Sequence, residues 1–333
     1  MSVSQTVKRA KMSMKQICTH SGSFHADEAL AVYMLRLLPQ WRDSKLVRSR
    51  KPEDWEASDI VVDVGGKYDN GVKFFDHHQR GFSETFNDKY KTKLSSAGLV
   101  YKHFGKDIIK ELGPQLNDDQ VELLYDKVYS QFIESLDAND NGIDQYDADV
   151  EPKFSAKAIT LPSIISRFNP EWNKDSSDES FYNQFLKASE YIGTVFKDLV
   201  NGYINSWLPA KTLVIEAVEN RFNVDKSGKI IELAEFCPWK EHLFQVEREL
   251  NIENTIEFVI FSDTSGAYRV STVPVTSTSF EFRKGLPEPL RGLRDEELSE
   301  KSGFPGCIFI HAAGFIGGAK SRESAIGLAR LSL

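Results

Sequence analysis

Four clusters of histidine and acidic residues lie within the first 143 residues of the 333-residue chain. In chain order they are His20, His25 and Asp27; Asp63; Asp76, His77 and His78; and Asp137 with Asp140. Imidazole and carboxylate ligands together suit Mn, Zn, Fe or Co. A binuclear site is the economical explanation, because two metal ions need about six or seven ligands with one carboxylate shared between them.

Each cluster also has a purely structural explanation. The DEAL segment, residues 27–30, can be an acidic first helical turn that complements the helix dipole. Asp63 can cap the turn after its strand, and DANDNG, residues 137–142, can be an ordinary helix exit. The metal-site interpretation is favoured because the clusters recur in chain order at the ends of alternating elements.

The elements that would position these clusters alternate between strands and helices. The pattern predicts strands over residues 16–20 and 60–64, a short strand in VKFFDHHQR, and helices over 29–38, 97–104 and 121–136. The run IVVDV is β-branched and continuous, which is typical of a buried parallel strand. We therefore expect an α/β domain with a mostly parallel sheet flanked by helices. Ligands bind such sheets at the carboxyl ends of their strands.

The remainder of the chain predicts a smaller α+β domain. A helical pattern over residues 181–207 can bridge two domains; strands are expected over 212–217, 256–261, 268–273 and 307–311, and a helix over 321–331. We place the domain boundary near residue 208. The predicted division is a tail over residues 1–16, a catalytic domain with the bridging helix over 17–207, and a substrate-binding domain over 208–333.

Composition narrows the functional class. The formal net charge of −8 argues against a generic basic DNA-coating protein, so any nucleic-acid contact must be local. No stretch reaches the roughly 18 apolar residues of a membrane-spanning helix, so no membrane partner is expected.

Cys18, Cys237 and Cys307 fit neither a disulfide framework nor a Cys-rich zinc site, and they indicate a reducing compartment. The basic, acid-free residues 1–26 are typical of an organelle presequence or of a polar tail.

Two further segments could contact a phosphorylated substrate. Ser95 and Ser96 open a helix whose backbone N–H groups could receive a phosphate, although a routine N-cap is the simpler explanation. In GFIGGAKSR, residues 314–322, Gly317 and Gly318 could approach a phosphate beside Lys320. His311, at the end of the preceding strand, could point into the same cleft. A glycine turn with solvated basic residues explains this composition nearly as well.

A third segment, FRKGLPEPLRGLR, residues 282–294, is a candidate RNA-backbone track in an otherwise acidic protein. Its basic residues are Arg283, Lys284, Arg291 and Arg294. Charged surface loops are common, so an ordinary solvated loop is the alternative.

The DHH sequence of Asp76 to His78 follows an apolar strand and a separate strand-end Asp63, and it resembles the signature of the DHH phosphoesterase superfamily. Five segments together resemble the eukaryotic melanocyte-proliferating-gene exonuclease family, once catalogued as uncharacterised metal-dependent hydrolases. They are THSGSFHADEALAVYMLRLLP, VVDVGGKYDNGVKFFDHHQRGF, SSAGLVYKHFG, LDANDNGID and FIHAAGFIGGAKSRESAIGLA. The resemblance extends over residues 17–333.

This resemblance implies a bilobed fold, with an N-terminal DHH domain that holds two divalent cations and a C-terminal lobe related to the DHH-associated substrate domain. It implies a 3′-to-5′ RNA exonuclease that acts on single-stranded RNA in the nucleus and the mitochondrion, with the cytoplasm as a further location. The oligomeric state stays open.

The resemblance also implies a role for each matching residue. His20 and His25 would bind one metal ion, Asp27 and His77 the other, and Asp63 would bridge them. Asp137 or Asp140 would complete the second site, and the sequence does not choose between them. Arg167 would face the substrate cleft.

One position departs from the superfamily pattern. Most members have an Asp-x-Asp pair in the first cluster, whereas His25 stands here in place of the first Asp, five residues after His20 rather than four. Replacing a carboxylate by an imidazole favours a softer metal, so we expect Mn²⁺ over Mg²⁺.

The DHH residues that are not assigned as ligands suggest a catalytic arrangement. His78 could contact the phosphate or the leaving group, and Asp76 could orient an imidazole. A plain strand-end acid is the alternative for Asp76. Two other functions remain open: a small-substrate phosphohydrolase, such as a pyrophosphatase or short-oligonucleotide phosphodiesterase, and a non-catalytic metal- or nucleotide-binding scaffold.

Overall fold

The computed structural model describes residues 14–146 and 153–333. The predicted tail over residues 1–16 therefore lies almost entirely outside the described residues. The chain divides into two compact units, Met1–Asn201 and Gly202–Leu333. The boundary expected near residue 208 separates a catalytic domain from a substrate-binding domain, and this functional division stays a prediction.

A four-stranded parallel sheet forms the centre of the first unit. Its strands are β1 Gln16–Thr19, β2 Lys45–Arg48, β3 Ile60–Val62 and β4 Phe74–Phe75, in the order β2-β1-β3-β4. The central strand β3 is buried along its whole length. Continuous apolar strands of this kind are expected where helices cover both faces of a parallel sheet.

Seven α-helices accompany this sheet in the described part of the first unit. They are α1 Ala26–Leu37, α2 Pro52–Ala57, α3 Ser96–Leu112, α4 Asp118–Val128, α5 Glu134–Asp140, α6 Leu161–Ser166 and α7 Asp178–Gly202. A π-helical segment, Tyr129–Ile133, joins α4 to α5, and a 3₁₀ turn, Lys157–Ile159, precedes α6. Helix α1 packs against α3, and both helices begin at the polar clusters discussed below.

The second unit contains a mixed five-stranded sheet. Its strands are β5 Ile230–Glu232, β6 Phe258–Ser262, β7 Tyr268–Thr272, β8 Cys307–Ile310 and β9 Ile316–Ala319, in the order β5-β6-β7-β9-β8. Only the β5–β6 pair is parallel. Alternate residues of β6 belong to different cores, Phe258 and Ile260 to one and Val259 and Phe261 to the other, so the sheet is covered on both faces.

Helices cover the two faces of this sheet. They are α8 Leu208–Glu219, α9 Arg221–Val224, α10 Lys240–Glu249, α11 Asp295–Ser302 and α12 Arg322–Arg330, with a π-helical segment, Tyr203–Trp207, and a 3₁₀ turn, Glu288–Leu290. Among the described residues, no helix is both long enough and apolar enough to span a membrane.

The predicted mixture of a parallel sheet, helices and a second α+β sheet is confirmed. The strand predicted over residues 212–217 is wrong, because these residues lie in α8. Ala210, Val214, Ala217 and Val218 form the buried face of that helix, at helical spacing. A short β-branched run cannot by itself distinguish a strand from a buried helix segment, and here packing of that face decided the outcome.

Candidate metal centre

The polar clusters meet at the carboxyl edge of the parallel sheet. His20 follows β1, Asp63 follows β3, and Asp76 begins the turn after β4. Because the three strands are parallel neighbours, their carboxyl ends bring these side chains to one edge, where open α/β sheets bind ligands. The beginning of α1 and the end of α5 supply further acidic groups at the same place.

Asp63 lies between three imidazole rings. Its Oδ2 lies 3.4 Å from His20 Nε2, and its Oδ1 lies 3.7 Å from His77 Nε2 and 3.5 Å from His78 Nδ1. The residue has a φ of 56°, in the left-handed region, and it ends the buried strand directly after Val62. One buried carboxylate thus has both oxygens directed at different imidazoles, which is the arrangement that a bridging ligand requires.

Among the described residues, three groups of side chains could hold metal ions, since the ligand atoms within each group lie within 4.8 Å of one another. The groups are His20, His25, Glu28 and Asp63; Asp63, His77 and His78; and Asp27, His77 and Asp140. Asp63 and His77 each belong to two groups. The ligand candidates therefore form one connected polynuclear arrangement rather than separate sites.

The environment of His77 fits a cation ligand. Its buried Nε2 makes no hydrogen bond with the described residues, although Asp140 Oδ2 lies 3.0 Å away. The other nitrogen, Nδ1, lies 3.2 Å from Asn141 Oδ1, which fixes the ring. An imidazole oriented through one nitrogen, with the second facing carboxylates, is the usual geometry of a metal-binding histidine.

Burial, together with crowding of like charges, raises the pKa of Asp27 and Asp63. Burial raises the pKa of Asp27, and repulsion from Asp140 and Asp63 raises it further. Burial likewise raises the pKa of Asp63, although contact with His20 opposes that rise. For His20, burial lowers the pKa but hydrogen bonds to Asp63 and Glu28 raise it more, to about 10. A cluster with this much unbalanced negative charge is stabilised by bound cations.

Asp140 and Asp137 have different partners. Asp140 groups with His77 and Asp27 as a candidate ligand. Asp137 is fully buried, and its carboxylate accepts hydrogen bonds from Ser95 N at 2.9 Å, Ser95 Oγ at 2.7 Å and Tyr129 OH at 3.0 Å. The geometry therefore favours Asp140 as the ligand and gives Asp137 the task of fixing the start of α3.

The start of α3 does not offer the open phosphate site considered from the sequence. Asp27 Oδ2 accepts from Ser96 N at 3.0 Å, and Asp27 Oδ1 accepts from Ala97 N at 2.5 Å. Asp27 Oδ1 also lies 2.6 Å from Ser95 Oγ, whose single proton it shares with Asp137. Both serines are fully buried, and Ser96 Oγ also donates to Asp63 at 3.2 Å. The positive end of the helix is thus occupied by the protein's own carboxylate.

Asp76 holds His78 and the loop after β3. Its Oδ1 lies 2.7 Å from His78 Nδ1 and accepts from His78 N at 3.1 Å, while its Oδ2 accepts from Gly66 N at 2.6 Å. The His78 side chain is 61% exposed, whereas that of Asp76 is 2% exposed. Asp76 therefore fixes the exposed imidazole of His78 through Nδ1.

The first cluster contains a residue that the sequence analysis did not propose as a ligand. Glu28 is fully buried, and its Oε1 lies 2.9 Å from His20 Nε2. It also accepts from His25 N at 3.0 Å, so it caps α1 as well. His25 is 64% exposed and lies at the rim of the group. The signal for Glu28 was its position next to Asp27 on a helix that is otherwise almost wholly apolar.

Gly317 and Gly318 lie inside β9, not in a turn. A Cβ atom on Gly318 would lie 2.7 Å from Arg269 Nη1 and 2.9 Å from Phe309. β9 needs glycine there because neighbouring side chains pack over the strand. This packing, rather than the expected close approach to a phosphate, explains the glycine.

His311 and Lys320 are not brought together. The backbone N–H of His311 bonds to Ile316 O, and that of Lys320 bonds to Gly306 O. The two residues therefore lie at opposite ends of the antiparallel β8–β9 pair, although both are exposed. The expectation that they share a cleft is not met within the second unit.

Arg283 does not belong to an exposed basic track. Its side chain is 7% exposed, and both terminal nitrogens donate to Glu247, at 2.8 Å and 2.7 Å. Nη1 also donates to Ile256 O at 2.8 Å. The guanidinium therefore closes a buried ion pair in the second unit rather than meeting an RNA backbone.

Arg167 is exposed at the end of α6 and donates to Ala158 O at 2.7 Å. It is not among the residues that line the cavity beside the candidate metal centre. This cavity has a volume of about 850 Å³. Its lining consists of His20, His25, Ala26, Asp27, Arg50, Trp55, Asp63, Val64, Gly65, Gly66, Asp76, His78, Leu136, Asn139, Asp140, Pro162, Ser163 and Ser166.

The fold and the site define a class: an α/β protein whose parallel sheet carries, at its carboxyl edge, histidine and acidic groups that could hold divalent cations. The model of the MYG1 exonuclease family, described as Uncharacterised protein family (UPF0160), matches residues 16–333, and the chain belongs to this family.

Individual relatives match over nearly the whole chain. The chain is 68% identical to the MYG1 protein YER156C of Saccharomyces cerevisiae, over 98% of this chain and 99% of that protein. It is 52% identical to the MYG1 protein C694.04c of Schizosaccharomyces pombe, over 96% of this chain and 98% of that protein. It is 48% identical to the MYG1 exonuclease of Homo sapiens, over 97% of this chain and 86% of that protein.

Proposed function

We propose that this protein is a metal-dependent phosphodiester hydrolase that removes nucleotides from the 3′ end of single-stranded RNA. The observation that carries the proposal is the position of Asp63, whose two oxygens face His20 on one side and His77 and His78 on the other. Relatives that are named exonucleases support a nucleic-acid substrate and a hydrolytic reaction. The DHH sequence supports membership of the DHH phosphoesterase superfamily, with the corresponding bilobed fold.

Two divalent cations, when bound, would acidify a water molecule and neutralise charge on the phosphoryl oxygens. His20, Glu28 and Asp63 would hold one of them, with His25 at the rim. Asp27, His77 and Asp140 would hold the other, with Asp63 shared. The mixture of imidazole and carboxylate supports Mn²⁺ over Mg²⁺.

The remaining steps belong to residues that contact no cation in this scheme. His78 offers Nε2 to a phosphoryl oxygen or to the leaving oxygen, because Nδ1 is held by Asp76 at 2.7 Å. Asp76 fixes this ring and, through Gly66 N, the loop that follows Asp63. Asp137 acts indirectly. It accepts a hydrogen bond from Ser95 and so fixes the start of α3, which in turn contacts the carboxylate of Asp27.

A nuclear and mitochondrial location is part of this proposal, with the cytoplasm as a further site of action. It follows from the family resemblance and from the basic N-terminal segment, most of which lies outside the described residues. Fluorescent fusions of the full chain and of a chain without residues 1–13 would test the mitochondrial part. Loss of mitochondrial signal in the shortened chain alone is expected.

The central experiment compares Asp63→Asn with the wild type on 5′-labelled and 3′-labelled single-stranded RNA in Mn²⁺, Mg²⁺ or a chelator. We expect activity to fall by about two orders of magnitude or more, since a shared ligand loses its charge. Asp43→Asn is the matched control, because Asp43 is exposed and lies outside the cavity lining. Equal activity of Asp63→Asn and wild type, or full activity in the chelator, would reject the proposal.

A small-substrate phosphohydrolase is the second candidate, and the size of the cavity favours it. About 850 Å³ is within the range of pockets that enclose one small ligand. Pyrophosphate and short oligonucleotides should be assayed beside the longer RNA with the same preparation. Hydrolysis of the small substrates alone would select this candidate.

A further inference from the structure

Two side chains in the cavity wall have no part in the hydrolysis proposed above. Arg50 lies in the loop between β2 and α2, and Trp55 lies in α2. Both line the cavity that His20 and Asp63 also line. Their chemistry differs from that of the acids and imidazoles around them, so each can recognise a different part of a ligand.

Arg50 brings a cation to the edge of an acidic centre. Its Nη2 lies 3.2 Å from His20 Nδ1, and its Nε donates to Ser21 O at 3.2 Å. These contacts hold the guanidinium beside a candidate metal ligand and leave further N–H groups of its five donors for a bound molecule. Among the described residues that line the cavity, Arg50 is the one arginine or lysine. A guanidinium held in this way suits a phosphate group.

Trp55 offers a fixed aromatic surface. Its Nε1 donates to Ser49 O at 3.1 Å, and its ring packs against the core around Val61 and Phe74. Gly65, with a φ of +100°, lies beside the indole, and a Cβ atom built there would make an ordinary van der Waals contact with the ring at 3.6 Å. The side chain is partly exposed, and its polar N–H group is already bonded. A fixed indole of this kind can stack on a nucleobase.

We propose that Arg50 and Trp55 form the subsite for the terminal nucleotide, with Arg50 binding a phosphate group and Trp55 stacking on the base. The inference rests on the proposed function, because it assigns the substrate of that same site. Stacking on an indole is tolerant of base identity, so this subsite recognises a nucleotide as a chemical class rather than a sequence. It also distinguishes nucleotides from pyrophosphate, which has no base.

The test compares two oligonucleotides that differ only at the 3′-terminal residue, one with a base and one abasic, in Mn²⁺. Trp55→Leu should raise KM about tenfold for the oligonucleotide with a 3′-terminal base and leave KM for the abasic oligonucleotide unchanged. The kcat should change less than about twofold. Arg50→Gln should raise KM about tenfold for both, since both carry the phosphate.

Matched controls use the same substitutions away from the cavity. Trp172→Leu replaces a tryptophan that is 95% exposed, and Arg42→Gln replaces an arginine whose side chain is 57% exposed; neither residue lines the cavity. Both should behave as wild type. Trp55→Phe, which keeps a smaller ring, should restore part of the lost affinity, and it serves as the test variant if Trp55→Leu does not fold.

A second measurement does not depend on hydrolysis. Binding of adenosine monophosphate in Mn²⁺, measured by isothermal titration calorimetry, should weaken about tenfold in Trp55→Leu and in Arg50→Gln. If the wild type is active and both variants show unchanged binding and unchanged KM, the proposed subsite is wrong. The proposed hydrolase function is not affected by that result. A wild type that binds the nucleotide through Trp55 but cleaves no oligonucleotide would instead overturn the hydrolase alone.

Discussion

The two acids of α5 show how position along one helix decides the role of a side chain. Asp137 accepts three hydrogen bonds from Ser95 and Tyr129, whereas Asp140 faces His77. Burial raises the pKa of Asp137 to about 7, although the bonds from Ser95 oppose that rise. Asp140, and not Asp137, belongs to one of the groups of described residues whose ligand atoms could hold a metal ion.

Substitution of each acid by alanine separates the two roles. Asp137→Ala removes the acceptor of the buried Ser95 N–H and of the Tyr129 hydroxyl, while Ser95 Oγ keeps its contact with Asp27, so we expect the free energy of unfolding to fall by about 1–3 kcal/mol. Asp140→Ala should leave that free energy nearly unchanged and should weaken Mn²⁺ binding at least tenfold. Urea unfolding of metal-free protein and calorimetric Mn²⁺ titration measure the two effects. Wild-type Mn²⁺ affinity in Asp140→Ala would contradict the assignment.

At the level of elements, the starts of α1 and α3 form one interlocked unit. Asp27 from the first turn of α1 accepts the backbone N–H groups of Ser96 and Ala97 at the start of α3. Glu28 on the same turn contacts His20 after β1. Two consecutive acids thus connect a strand end and two helix starts, so the ligand geometry depends on how these elements pack.

The packing of α7 against α1 requires a glycine. A Cβ atom on Gly193 would overlap the ring of Tyr33, close to its attachment point, where the ring cannot easily move away. We expect Gly193→Ala to reduce the free energy of unfolding by about 1–3 kcal/mol, the usual cost of overpacking. Thermal and urea unfolding measure this loss.

Gly202→Ala, at the carboxyl end of the same helix, is the control for that loss. A Cβ atom there meets nothing within 4 Å, so alanine should stabilise the helix by about 1 kcal/mol through its higher propensity. If both variants changed stability equally, the close approach of α7 to Tyr33 would not be a determinant of the fold.

At the scale of the whole molecule, the second unit contains its own buried ion pair. Arg283 and Glu247 are 7% and 1% exposed, and Glu247 also accepts from Ile256 N at 2.9 Å. Arg283→Met would leave a buried carboxylate without its partner, so we expect a loss of about 3–5 kcal/mol in the free energy of unfolding. Urea unfolding checks this value.

A double variant provides the control. In Arg283→Met with Glu247→Gln, the buried charge is gone and an amide oxygen remains for Ile256 N, so part of the lost stability should return. Activity of the folded protein on a short oligonucleotide should be unchanged in both variants. A stable Arg283→Met protein that binds RNA poorly would restore the interpretation of Arg283 as an RNA contact.

Local sequence determined much of this protein. The apolar run 60–64 predicted a buried parallel strand, and the positions of His20, Asp63 and His77 predicted ligands at strand ends, because parallel strands place their carboxyl ends at one edge. The family resemblance was equally visible in the sequence, and the family is confirmed.

Tertiary packing decided the remainder, because these outcomes depend on contacts between residues far apart in the chain. Residues 212–217 became a helix since their apolar face found a core, and Arg283 became buried since Glu247 lay opposite. The choice between Asp137 and Asp140 followed from which side chains met each carboxylate after folding, Ser95 and Tyr129 for Asp137 and His77 for Asp140. Sequence spacing predicted most of the elements, but the type of a short apolar segment and the partner of a long polar side chain are decided only when the elements pack.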